Sequence, residues 1–105
     1  MNKAVVQLAC TSNAAPLQYE GRLEDGRWVY FRARHQAWQF GVASTLEDAV
    51  TMSSLADPVT ERDVFARFGD WGEHEFDASY MPHDEALRLI EACVAEWLRS
   101  GTDER

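Results

Sequence analysis

Glu73, His74, Glu75, Asp77, His83 and Asp84 offer carboxylate oxygens and imidazole nitrogens within a short stretch. These are donor types that hold divalent cations. Their spacing matches neither a two-histidine helical zinc motif nor a calcium loop, so no metal is expected. The stretch carries charge instead. Between Asp70 and Glu85 stand Asp70, Glu73, Glu75, Asp77, Asp84 and Glu85, with no lysine or arginine among them. A ribbon of carboxylates can occupy the Arg/Lys groove of a nucleic-acid-handling protein, standing in for phosphates. The bland use of the same residues is a solubilising surface.

Nucleophilic chemistry has less to work with. Cys93 falls on the apolar stripe of a helix, where a thiol is ordinarily inert. Cys10 ends a strand and has no histidine partner in the sequence pattern. His35, His74 and His83 fall in turns or at a helix start, outside any triad, phosphate-loop or zinc-protease pattern. No catalytic residue and no cofactor is therefore expected. Acid–base carboxylate pairs are spatial and not sequential, so a small enzyme stays as the remote alternative.

The other candidate surface lies on a sheet. Leu17 to Val42 reads as three consecutive antiparallel strands. Leu17, Tyr19, Gly21 and Leu23 alternate with Gln18, Glu20, Arg22 and Glu24. Val29, Phe31 and Ala33 alternate with Trp28, Tyr30, Arg32 and Arg34. Trp38, Phe40 and Val42 alternate with Gln39 and Gly41. The second face of this sheet thus holds Trp28, Tyr30, Arg32, Arg34 and Arg22. Trp, Tyr and Arg are the types enriched at binding hot spots. We take Trp28, Tyr30 and Arg32 as the anchoring patch for a protein partner. The competing use is burial, under another element or against a second copy, since large aromatics usually bury their area. A base-stacking platform also needs aromatics on a sheet, but the net charge of −8 repels a phosphate backbone.

Turn chemistry sets the register. A two-residue loop at Asp25-Gly26 would place Leu23 opposite Trp28 and mix the two faces. A three-residue loop, Glu24-Asp25-Gly26 with Gly26 left-handed, places Gly21 opposite Val29, Tyr19 opposite Phe31 and Leu17 opposite Ala33. Around His35-Gln36, Arg34 opposite Ala37 brings Ala33 to Trp38, Phe31 to Phe40 and Val29 to Val42. The apolar face needs a cover. The last helix supplies it: Pro82 suits its first turn, and Asp84 and Glu85 suit its positive end. Ala86, Ile90, Cys93, Val94 and Trp97, widened by Leu87 and Leu98, form its stripe. Glu85, Arg88, Glu91, Glu96 and Arg99 occupy the other side, and Gly101 is the expected stop.

Ala4 to Cys10 reads as a further strand, followed by a loop at Thr11-Ser12-Asn13. Ser44 with Glu47 resembles a capping box for a short helix from about Thr45 to about Leu55, ended by Asp57-Pro58. Residues 59–68 admit two readings. Thr60 and Asp63 would cap a helix holding Val64, Phe65 and Phe68, or Val64, Ala66 and Phe68 would lie on a strand. Gly69 to Met81 reads as loop, with an extended piece at Glu75-Phe76. The expected fold is α+β: a meander of three or four antiparallel strands, packed on one face by the C-terminal helix and one or two short helices. At 105 residues the chain is expected to form a single domain, 1–105.

Charge is unevenly distributed. Residues 1–42 carry five basic and three acidic side chains, a net +2, whereas residues 43–105 carry five basic and fifteen acidic, a net −10. Such a chain is steered toward a basic surface. No apolar run is long enough to span a bilayer and no export signal is evident, so two reduced thiols and a cytoplasmic location are expected. The segment FRARHQAWQF, with its preceding LEDGRWVY, resembles sequence in small bacterial and phage-borne proteins. In size and charge the chain resembles anti-CRISPR and anti-restriction inhibitors, and toxin-neutralising immunity proteins. The resemblance implies a small acidic, non-enzymatic inhibitor that binds a protein partner with a basic surface. An immunity or antitoxin protein, or a homo-oligomeric structural module such as a homodimer, is the alternative. Direct binding to nucleic acid or a membrane is not expected.

Overall fold

The structure, a computed structural model, describes residues 5–13, 17–53, 59–60, 65–72, 78 and 81–103. Its elements are β1 (Val5–Asn13), β2 (Leu17–Leu23), β3 (Trp28–Arg34), β4 (Ala37–Ala43), α1 (Leu46–Ser53), β5 (Val59–Thr60), β6 (Phe65–Asp70) and α2 (His83–Asp103). The strands form one antiparallel sheet in the order β1-β2-β3-β4-β6-β5. The α+β expectation holds, with more strands than expected because residues 59–60 and 65–70 are extended. No helix among the described residues is long and apolar enough to cross a membrane.

The β2–β3–β4 register is the one the turns require. Leu17 pairs with Ala33, Tyr19 with Phe31 and Gly21 with Val29. Val29 pairs with Val42, Phe31 with Phe40 and Ala33 with Trp38. Gly26 has φ +89°, a conformation that costs a side-chain-bearing residue energy and glycine little. Leu23 N–H donates to Arg27 C=O at 2.9 Å, and Gly26 N–H to Leu23 C=O at 3.0 Å, which closes the three-residue loop. In the next turn His35 takes the left-handed conformation itself, at φ 58°.

Two helices cover the two faces. On the first face, Phe31, Phe40, Val29 and Leu17 meet Ala86, Ile90, Cys93, Val94 and Trp97 of α2 in a single core cluster. Phe65 joins them edge-on to Phe40 and to Trp97, at centroid distances of 6.1 and 5.8 Å. Burying each such side chain stabilises the fold by about 1.5–3 kcal/mol. Arg67 on β6 reaches Glu96 at 2.5 Å, so Glu96 serves the sheet side of α2 and not the solvent side. Leu98 is exposed and does not widen the stripe. α2 also passes Gly101 and ends at Asp103.

α1 lies on the second face. Ala49 and Ser53, one turn apart, are buried there with Tyr30 and Ala43. Gly41 makes this approach feasible: a Cβ at that position would overlap the Ala49 carbonyl oxygen and sit 3.1 Å from Ser53. Thr45, one residue later than expected, caps the helix; its Oγ1 accepts from Asp48 N–H at 3.1 Å. Ser53 Oγ donates to Val50 C=O at 2.7 Å and accepts from Gln39 Nε2 at 2.9 Å, which satisfies the buried hydroxyl.

Three further expectations change. Thr11 to Asn13 continue β1 alongside β2 and do not form a loop, since Ser12 pairs with Gln18 and Asn13 with Leu17. Within 59–68, residues 59–60 and 65–68 are strand and not helix, because Phe65 and Arg67 pair with Val42 and Phe40 and carry the core face outward by one more strand. Gly69 and Asp70 belong to β6 and not to the following loop. Leu55, Asp57-Pro58 and Glu75-Phe76 lie outside the described residues, as do Asp63 and Val64.

Gly41→Ala is expected to push α1 off the sheet and lower stability by about 1–3 kcal/mol. Urea denaturation checks the magnitude. An unchanged midpoint would mean that α1 does not need this close seat.

Candidate functional site

The second face is organised in rows across the strands. Arg22 pairs with Trp28, and Trp28 with Ala43; Glu20 pairs with Tyr30, and Tyr30 with Gly41. α1 packs on this end of the face. Trp28 and Tyr30, expected as part of the anchoring patch, lie at this covered end. Tyr30 is only 5% exposed, and Trp28 is half-buried with the Arg22 guanidinium 4.8 Å above its ring. Burial pushes the Tyr30 phenol above its ordinary pKa; the neighbouring Arg32 lowers it and Glu20 raises it.

Beyond α1 no described element covers the same face. One row runs Gln18, Arg32, Gln39, Phe68, and the next runs Arg34, Ala37, Asp70. Phe68 is 47% exposed, and Arg34, Ala37 and Asp70 are exposed. Arg32 is half-buried, and its Nε is a buried donor with no hydrogen-bond partner. An arginine with an unsatisfied donor, an exposed aromatic and a carboxylate therefore share a strip with no helix on it among the described residues. Arg32 and Asp70 were among the expected partner-binding residues. Phe68 was not, because its run was ambiguous between helix and strand. Its signal was the alternation with Arg67, which becomes legible once Phe65 is taken as core.

The acidic residues divide. Asp70 ends β6, and Asp84 and Glu85 begin α2, all at the end of the sheet that carries the His35-Gln36 turn. Trp71 N–H donates to Gln36 C=O and Ala78 N–H to His35 C=O, both at 2.7 Å, which ties the chain on either side of 73–77 to that turn. Asp84 is exposed, and Glu85 holds Arg88 at 2.8 Å. Glu73, Glu75 and Asp77, together with His74, lie outside the described residues.

A contact that sequence spacing could not reveal joins β2 to α2. The Tyr19 hydroxyl is hydrogen-bonded to His83 Nδ1, and the rings meet edge-on at 5.8 Å. Cys10 stands opposite Tyr19 in the β1–β2 ladder. The Tyr19 phenol is raised above its ordinary pKa, first by burial and then by the charge of Cys10. The Tyr19–His83 bond anchors the start of α2 to the sheet. Among the described residues, no group of three or more His, Cys, Asp or Glu is placed to hold a metal ion. A groove of ≈ 520 Å³ runs along α2 between Asp84 and Ala95, lined by Leu87, Arg88, Glu91 and Ala92. These lining residues include no nucleophile and no histidine.

Cys93 lies in the core, and burial pushes its thiol up to about 12, with Glu96 adding to the rise and Arg67 opposing it. In the unfolded chain the thiol ionises at about pH 8.5. The unfolded state therefore loses its proton first, and stability falls as pH rises from there toward the folded value. Denaturation between pH 8 and 11 is expected to show this decline, and Cys93→Ala is expected to flatten it. The same burial makes Cys10 the fast thiol and Cys93 the slow one toward iodoacetamide, which peptide mapping reads directly.

No family model, no curated protein and no solved structure matches this chain.

Proposed function

We propose that the chain is a non-catalytic inhibitor that docks on a protein partner and covers a basic, nucleic-acid-binding surface. The observation that supports this reading best is the open strip of the second face. Phe68 offers exposed apolar area, the half-buried Arg32 and the exposed Arg34 lie beside it, and Asp70 adds a carboxylate on the same face. Interfaces are anchored by aromatics and arginines and rimmed by charge. The charge of −8 on the chain as a whole favours a partner of opposite sign. The contribution of Glu73, Glu75 and Asp77 enters through sequence alone. An anti-defence protein, such as one that blocks a nuclease or a surveillance complex, is the concrete form of this reading.

The test begins with a partner captured from host lysate and repurified. Its affinity for the wild-type chain is then compared with Phe68→Ala and Asp70→Lys. Each substitution is expected to weaken binding at least about tenfold while circular dichroism stays unchanged. Raising salt from about 50 to about 300 mM is expected to weaken the wild-type complex. Affinity that ignores both substitutions and salt would remove this surface as the docking site.

A further inference from the structure

The two edges of the sheet are built differently. β5, at one edge, is two residues long and offers little backbone to a stranger. β1, at the other edge, is nine residues long, VVQLACTSN, and contains neither a charged residue nor a proline. Shortness, charge, proline and β-bulges are ordinary guards of an edge strand. β1 lacks the first three, in a chain of which 27% is charged, and its irregularities fall on either side of its middle. Register shifts between Val5 and Gln7 and between Cys10 and Ser12 leave Gln7 to Cys10 as its regular run. Gln7, Ala9, Cys10 and Thr11 are exposed and Leu8 is half-buried. The outer side of β1 meets no strand among the described residues.

The direction of the backbone groups follows from the first hairpin. Successive residues of an antiparallel strand turn their N–H and C=O to alternate sides. Leu23 bonds Arg27, so the odd-numbered residues of β2 bond β3 and the even-numbered ones face β1. Gln7 lies opposite Arg22 and Ala9 opposite Glu20, and both therefore turn toward β2. Leu8, between them, turns its N–H and C=O outward at the edge. Its side chain lies on the α2 side and packs against the core cluster.

We propose that β1 pairs antiparallel with β1 of a second copy, about a two-fold axis at Leu8, so that one sheet runs through both molecules. The two Leu8 residues exchange N–H···O=C bonds and complete the burial of each other's side chain on the α2 side. Gln7 of each copy lies opposite Ala9 of the other on the second face. Self-pairing about a two-fold sets a strand against itself, so any charge near the axis would meet its own sign. A neutral strand removes that repulsion, which is the condition two chains of −8 must satisfy to associate.

Sedimentation equilibrium of the intact chain, over micromolar to millimolar concentrations, is expected to show a monomer–dimer equilibrium. Leu8→Lys sets two ammonium groups against each other on the axis. It is expected to weaken the dimer at least about tenfold. A second measurement does not depend on how well that variant folds. Gln7→Cys and Ala9→Cys, each with Cys10→Ser, are mixed under mild oxidation. Directly opposite residues lie within disulfide reach, so a disulfide between the two different variants is expected, with little cross-linking of either variant alone. A wild-type chain that stays monomeric throughout overturns the proposal. A dimer unaffected by Leu8→Lys, or one that fails to form the mixed disulfide, overturns it as well.

Discussion

The structure depends on a parity set at one turn. Gly26 in the left-handed region gives the β2–β3 loop an odd number of residues, and that number decides which side chains share a face. Removing one residue from the loop would send Tyr19 and Leu17 to the face opposite Phe31 and Ala33. The α2 stripe would then meet glutamine and glutamate. Every later feature, from the core of Phe31, Phe40 and Phe65 to the open strip at Phe68, inherits that choice.

The sheet carries its helices in an asymmetric way. α2, with 21 residues, covers the apolar face from His83 beside Tyr19 to Trp97, whose ring lies 5.2 Å from the Arg27 guanidinium. α1, with eight residues, covers only the Trp28–Tyr30 end of the other face. Among the described residues, the short helix divides that face into a covered half and an uncovered half. Ser53, the last residue of α1, marks the boundary through its bond from Gln39. Polar residues on one sheet face thus do two jobs, and their position along the strand decides which.

Much of the central sheet was legible in the sequence because its signals are local. Period-two alternation, a glycine at the bulge and short turns each constrain neighbours a few residues apart. The α2 stripe was legible for the same reason, since five apolar residues recur at helical spacing. What resisted reading depends on long-range placement. Phe65 and Ala66 are both buried, so the burial of β6 does not alternate cleanly and its period did not separate strand from helix. The side of the sheet that α1 would choose was encoded in Gly41, Ala49 and Ser53. Three small residues give a weak hydrophobic signal, even though their smallness is what permits contact. Glu96 looked like a solvent residue until Arg67 supplied its partner 29 positions away. The Tyr19–His83 bond spans 64 positions and has no local trace.

In chain order, every strand precedes α2. A chain made from its N-terminal end therefore assembles hairpins while the surface of Phe31, Phe40 and Phe65 still lacks its cover. Sequential hairpins close quickly because their loops are short. During that interval the nascent sheet exposes apolar surface, the condition under which chains aggregate. The last helix is thus also the step that ends the period of greatest aggregation risk, and a truncation that removes it would do more harm than its share of the length suggests.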